Sequence, residues 1–263
     1  MKVLSDIPFE IDPASVFATL HIDPTGQYAG EVDALIDSAR RVARPRAFYR
    51  AAVVLEREPD AVVIAEAGEP IEPAGGQDID GCKLPPPRSG GAPAPEAATP
   101  RARLASRALR VNLDGVERVF PYVATCGAEL DSIPVAAGDA FGQFCRDTIK
   151  EMALWAALSH LYMHLTEAFG LGALASINPG SGEANVWPIE QQRDLFAFLG
   201  NVQESIGVVL TDSCLMVPNK SVSGILFPSS AGFENCQLCN QKQCSHRRVP
   251  FDPELWARTF GEG

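Results

Sequence analysis

Apolar and polar positions alternate along this chain with two different periods. Between residues 139 and 169, Phe144, Ile149, Met152, Trp155, Leu158, Leu161, Tyr162, Leu165 and Phe169 recur at helical spacing and cover most of the circumference. The pattern predicts the longest helix of the protein, placed centrally in the core. A second helical pattern runs from Thr25 to about Val42 through Val32, Leu35, Ile36 and Ala39, and it closes with Arg40-Arg41 ahead of Pro45. That is an amphipathic surface helix with a basic C-terminal turn. Asp12-Pro13 opens a shorter helix ending near Leu20, residues 101–110 form a helical patch, and Pro188 sits where a helix ending at Gly200 begins.

The period of two appears elsewhere. Residues 7–11 (IPFEI) alternate as a short strand, and 47–56 and 61–66 read as two strands joined through Glu58-Pro59-Asp60. Asp114-Gly115 turns into a strand over 116–125. Residues 205–250 hold two further strand-like runs separated by a polar turn, followed by three cysteines. Together these elements predict an α+β fold, a twisted and mostly antiparallel sheet with helices packed on it. Between Gly75 and Pro100 the periodicity stops at Pro85-Pro86-Pro87, Ser89-Gly90-Gly91 and an Ala/Pro run, which predicts a flexible insertion with Cys82 as an exposed thiol. The expected organisation is an α+β domain over 1–235, carrying that insertion, and a cysteine-rich metal-binding tail over 236–263.

Composition narrows the functional classes. With 263 residues, 46% of them apolar, the chain can bury a large core. Its 22 Lys+Arg against 33 Asp+Glu give a net charge of −11, which argues against nucleic-acid backbone binding and favours a cationic or protein partner. Residues 1–15 lack the apolar core of a signal peptide, and the apolar stretch 152–165 is interrupted by His160 and His164 and is too short for a bilayer. A soluble cytoplasmic protein without membrane contact is the expectation.

The sharpest chemical signal is Cys236-x-x-Cys239-x4-Cys244. Two thiolates two residues apart can meet one metal from a single turn, and sulfur ligands suit zinc or an iron–sulfur cluster. A fourth ligand is needed. His246 offers a cramped one for zinc, while Cys126, Cys145 or Cys214 are candidates for a cluster. Cys126 lies at a strand end, where a functional role and a buried free thiol are both open readings. His160, His164 and Glu167 share a helix face, but Leu161 stands where a metalloprotease motif has its glutamate, so core or interface histidines are expected. The loop at 176–188, with Pro179-Gly180, offers backbone amides to an anionic group. No nucleophile, general base or triad is legible.

Three stretches together resemble one family. Met216-Val217-Pro218-Asn219-Lys220-Ser221-Val222-Ser223-Gly224 resembles the M-x-P-x-x-S-V-S-G segment of the activation domain of cobalamin-dependent methionine synthase, especially its short free-standing relatives. Asn178-Pro179-Gly180, followed by Trp187-Pro188 and the helix at Gln191–Phe196, resembles that domain's Pro-Gly loop and next helix. Pro121–Gly127 fits the short relatives, as does the C-x-x-C-x4-C-x-x-R tail ending at Arg247. The resemblance covers most of the chain outside 75–100.

In that family the domain binds S-adenosylmethionine and caps cobalamin, so that cob(II)alamin is reduced and remethylated. The resemblance therefore implies a ligand or docking surface built from Ser176, Asn178, Pro179, Gly180, Ser221, Val222, Ser223 and Gly224. The family's carboxylate-binding arginine falls on Ser176, its tyrosine on Ser181 and its later aromatic near Leu226. Loss of the guanidinium removes a contact of about 1.5–3 kcal/mol, which counts against retained S-adenosylmethionine binding. No D-x-H-x-x-G motif is present, so cobalamin is expected only on a partner. The implied function is a free-standing protein that docks on a corrinoid methyltransferase component, with an electron donor, and assists reductive reactivation. One-electron cobalt chemistry favours an iron–sulfur cluster on Cys236, Cys239, Cys244 and Cys126. The alternatives are a non-catalytic interaction protein stapled by zinc and an S-adenosylmethionine-binding methyltransferase component.

Overall fold

The computed structural model describes residues 1–67, 99–181, 186–229, 232–244 and 247–261. The expected insertion, apart from its last two residues, and His246 lie outside the described residues. Eight strands form one antiparallel sheet: β1 (Lys2–Leu4), β2 (Arg46–Tyr49), β3 (Ala52–Arg57), β4 (Ala61–Glu66), β5 (Arg101–Ala105), β6 (Arg118–Thr125), β7 (Leu174–Ile177) and β10 (Ser221–Pro228). β8 (Val209–Leu210) and β9 (Met216–Val217) pair only with each other among the described residues.

β6 is the axis of the sheet. β10 pairs along one of its edges and carries β7 on its far side. Along the other edge β2 and β3 follow in a single register, from Arg46 opposite Thr125 to Val53 opposite Arg118. The interruption between β2 and β3 has a chemical cause: Pro121 faces it and has no N–H to give, although its carbonyl still accepts from the Arg50 amide at 3.0 Å. β1 extends the sheet beside β2, and β4 and β5 extend it beside β3, with a register shift at Val54/Glu56.

Alternation then assigns the two faces. Val119, Val123, Ile225 and Phe227 point into a core closed by α3 (Arg107–Asn112), α5 (Gln192–Leu199), α6 (Val202–Ile206) and α7 (Pro253–Phe260), with Trp187 and Phe198 at its centre. Phe120, Tyr122, Ala124 and Leu226 point to the other face, beneath α4 (Ala140–Phe169). α4 buries Cys145, Ile149, Ala153, Ala157, Leu161 and Leu165, one residue per turn, so a single ridge of small and branched side chains lies along the protein. Its first half packs on α1 (Pro13–Leu20) and α2 (Ala29–Val42), and its second half packs on the sheet.

The α+β architecture and the antiparallel sheet agree with the sequence reading, and several local expectations are corrected. α4 is a covering helix and not an all-round buried one: Phe144, Trp155 and Met163 are 57%, 49% and 57% exposed, because among the described residues nothing packs on its outer side. Residues 7–11 join no ladder, and the N-terminal strand is Lys2–Leu4. Residues 101–105 form β5, where Ala102 and Leu104 alternate inward; the helix starts only after Ser106, whose hydroxyl caps the Leu109 amide. The apolar run at 205–210 divides into the end of α6, Gly207 at φ 74° and the two-residue β8. The tail packs on the body: Leu238 is fully buried in the same core as Trp187.

Candidate functional site

A cavity of about 480 Å³ opens between α4 and the β7 end of the sheet. Trp155, Leu158 and Tyr162 of α4 form one wall, Val222 and Ser176 the other, and Phe233, Glu234 and Arg248 approach from the tail. A cavity of that size, walled by apolar side chains and by hydroxyl, amide and charged groups in about equal share, can take a small molecule. Its polar floor is a closed set of partners. Asn178 Nδ2 donates to Tyr122 Oη at 2.9 Å and to the Ser223 carbonyl at 2.8 Å. Asn178 Oδ1 accepts from Ser176 Oγ at 3.2 Å and from Asn235 Nδ2 at 2.8 Å, and Tyr122 Oη lies 3.0 Å from Ser176 Oγ. Asn235 Oδ1 is buried with no partner among the described residues.

The glycine of the Ser-Val-Ser-Gly segment makes this arrangement possible. Gly224 sits in a regular ladder opposite Tyr122, not in a bulge. A Cβ at this position would lie 2.6 Å from the Ile177 carbonyl oxygen and collide with Asn178 Nδ2. Glycine is required here because the Asn178 amide crosses β10 at the level of its backbone. Burial raises the titration of both cavity tyrosines, Tyr122 and Tyr162, so they are neutral hydroxyl donors and not bases. At the mouth, Arg248 Nη2 and Glu234 Oε2 are 2.8 Å apart.

Of the residues singled out from sequence, the fold brings Ser176, Asn178 and Val222 to the cavity wall and sets Gly224 directly against Asn178. Ser223 points to the opposite face, where its hydroxyl donates to Gln192 Oε1 at 3.0 Å. Ser221 Oγ is 2.8 Å from both Thr125 Oγ1 and the Pro218 carbonyl, and so holds the strand's entrance. Pro179-Gly180 turns the chain beside the cavity: Gly180, at φ 72°, donates its amide to the Trp187 carbonyl at 2.8 Å. Sequence reasoning missed Trp155 and Tyr162 as cavity walls, because helical periodicity cannot tell a core face from a cavity face. It also missed Glu234 and Arg248, which carry no local signature.

Cys236 stands on a one-turn 3-10 helix, Asn235–Leu238, and Cys239 directly follows it; both are half-buried, and Cys244 is exposed. The Arg247 guanidinium organises the loop, donating to the carbonyls of Cys236 at 3.2 Å, Cys239 at 3.0 Å and Gln241 at 2.5 Å. Among the described residues no three His, Cys, Asp or Glu side chains converge on a metal position. Cys126 and Cys145 lie in the core formed by α1, α2 and α4, whereas Leu238, between Cys236 and Cys239, belongs to the core on the other face of the sheet. Burial pushes the Cys126 thiol up to about 11. Cys214 is buried as well. His164 Nε2 meets Tyr49 Oη at 3.0 Å, and desolvation, with Lys2 and His160 adding to it, lowers its titration.

Residues 149–247 match the family model described as vitamin B12 dependent methionine synthase, activation domain. Among solved structures, the chain is similar to the crystal structure of the MetH reactivation domain bound to AdoHcy, with a TM-score of 0.50 and 14% identity over 98% of this chain and 90% of that one. No curated protein matches the sequence. The activation-domain resemblance read from the motifs is therefore borne out, for the family over 149–247 and for the fold over nearly the whole chain. None of the helices among the described residues is long and apolar enough to cross a membrane.

Proposed function

We propose that this chain is a free-standing activation-domain-like protein that docks on a separate corrinoid-carrying methyltransferase component and assists reductive reactivation of its cobalamin. The observation that carries the reading is a coincidence of position. The stretch that matches the activation-domain family, 149–247, contains α4 from its third turn, β7, Asn178, β10 and the three tail cysteines, and so supplies most of the cavity. In this reading the cavity holds an adenosyl-type ligand, as the AdoHcy-bound neighbour of the same fold suggests. Its neutral tyrosines, Ser176 and Asn178 form a polar floor beneath that ligand, and Trp155 and Val222 flank it.

Cys236, Cys239 and Cys244 would hold an iron–sulfur cluster or, in the alternative reading, a zinc ion. The half-buried pair Cys236/Cys239 on one turn fits two sulfur ligands, and Arg247 keeps the loop compact from its carbonyl side. A cluster would supply an electron to the cobalt of the partner, whereas zinc would only staple the tail. Cytoplasmic residence accompanies this reading.

Anaerobic purification followed by metal analysis and a visible spectrum separates the two metals: iron with broad charge-transfer absorption is expected, and stoichiometric zinc without it leaves only the staple. Docking is tested by mixing the protein with a cob(II)alamin-loaded corrinoid methyltransferase component, reductant and S-adenosylmethionine. Faster conversion of cob(II)alamin to methylcobalamin, read by absorbance, is expected. No complex and no acceleration would sink the reading.

A further inference from the structure

The cysteine loop is built on one side chain. Its base is anchored to the body: Leu238 is fully buried, Asn235 Nδ2 donates to Asn178 Oδ1 at 2.8 Å, and the Asp252 amide donates to the Gln237 carbonyl at 2.9 Å. Cys236 and Cys239 belong to that base. The stretch 240–244 ends in the exposed Cys244, and among the described residues its hydrogen bonds to the rest of the chain all run to Arg247. Arg247 Nη1 donates to the carbonyls of Cys236 at 3.2 Å and Val249 at 3.4 Å, and Nη2 to those of Cys239 at 3.0 Å and Gln241 at 2.5 Å. The Arg247 backbone amide donates to the Cys244 carbonyl at 3.3 Å. The carbonyls of all three cysteines therefore end on one residue.

That guanidinium has no counter-charge in these bonds. Its acceptors are neutral carbonyls, and the tail's Glu234 carboxylate is taken by Arg248, so among the described residues Arg247 has no anionic partner. The groups of this loop that become anionic are its thiols, on binding a metal. We propose that Arg247 is the positioning residue of the tail's metal centre: it ties the Cys244 arm to the Cys236/Cys239 turn before the metal arrives, and it offsets the charge of the three thiolates afterwards. This inference rests on the metal reading of the cysteines given above. Lysine in this place would keep the charge, but a single ammonium on a flexible stem does not span the carbonyls that the planar guanidinium fork reaches. Without the fork, Cys236 and Cys239 stay together on their turn and Cys244 is released, so the site loses its third sulfur.

The experiment is anaerobic titration of the full, reduced chain with cobalt(II) chloride, read by sulfur-to-metal charge-transfer absorption, in the wild type, Arg247→Ala, Arg247→Lys and Cys244→Ser. Saturable binding is expected in the wild type. Arg247→Ala is expected to bind about 10–100-fold more weakly, as loss of an outer partner of a metal site does. Its absorption per bound metal at saturation is expected to fall to that of Cys244→Ser, a change that a general loss of stability does not produce. Arg247→Lys is expected to lie closer to Arg247→Ala than to the wild type. Thermal melts check that each variant folds. Wild-type affinity and absorption in Arg247→Ala, or in Arg247→Lys, overturn the positioning role and leave the metal reading standing. If the wild type shows no charge-transfer band at millimolar cobalt(II), the metal reading falls, and the role of Arg247 falls with it.

Discussion

The two ends of the β6–β10 ladder treat polar groups in opposite ways. At the Ser221 end, charge is consumed inside the protein. The Lys150 side chain is 3% exposed, with Nζ 2.6 Å from Asp131 Oδ1 and 2.5 Å from Asn219 Oδ1, and Lys220 pairs with Glu151 at 3.0 Å. These contacts pin the loop before β10 to α4. At the other end Tyr122, Ser176 and Asn178 are also bonded, but they face a cavity, and its charged pair lies at the mouth. One strand pair therefore runs from a closed structural clamp to an open cavity. The residue types of a motif do not distinguish them; whether the bonded groups face packed protein or a cavity does.

The largest expected effect breaks the closed end. Lys150→Met leaves Asp131 and Asn219 without their cation, and unfolding stability should fall by about 3 kcal/mol in urea titration, the low end for a broken buried pair because Asp131 is 46% exposed. A loss under about 1 kcal/mol would mean that the clamp does not hold the fold. The same end should respond to alkali. Cys126 has its folded titration raised from 9.0 to about 11, so the unfolded chain loses this proton first as pH rises. Stability from this group is complete below pH 9 and declines between about pH 9 and 11, by about 2–3 kcal/mol in total. The decline should be smaller by that amount in Cys126→Ala, measured by denaturation at a series of pH values.

The open end should be more forgiving. Tyr122→Phe removes the hydroxyl shared by Asn178 and Ser176 and should cost about 1–2 kcal/mol, and it should weaken binding of S-adenosylhomocysteine and adenosine alike. A stability loss as large as that of Lys150→Met would erase the contrast between the ends. The smallest effect belongs to Arg248→Gln: stability within about 0.5 kcal/mol of wild type by thermal melt, since exposed pairs contribute little.

The helices α1, α2, α4 and α5 and the strands β4, β6 and β10 were legible because each carries a long, regular pattern with a cap or breaker at its end. Residues 101–105 were not, since they run without a Gly or Pro breaker into the helical residues Ala108 and Leu109, and five positions are too few to separate the two periods. The split of β2 from β3 depends on Pro121, about seventy residues away in sequence and opposite the gap in space. For the site, the Ser-Val-Ser-Gly and Asn-Pro-Gly motifs pointed to the right region, yet half of their residues serve the strand and the turn, not the cavity.

The sequence by itself determined the mixed fold, the family resemblance and the unusual cysteine tail, because periodicity, turn chemistry and ligand spacing are local properties of a chain. Tertiary structure alone decided which members of the motifs meet. Alternation sends Val222 and Gly224 toward α4 and Ser223 away from it, and only the β7–β10 pairing places Asn178 against Gly224. The tail's Glu234 and Arg248 reach the cavity for the same reason. Contacts between residues far apart in the chain are set by the packing of whole elements, and no local spacing encodes them.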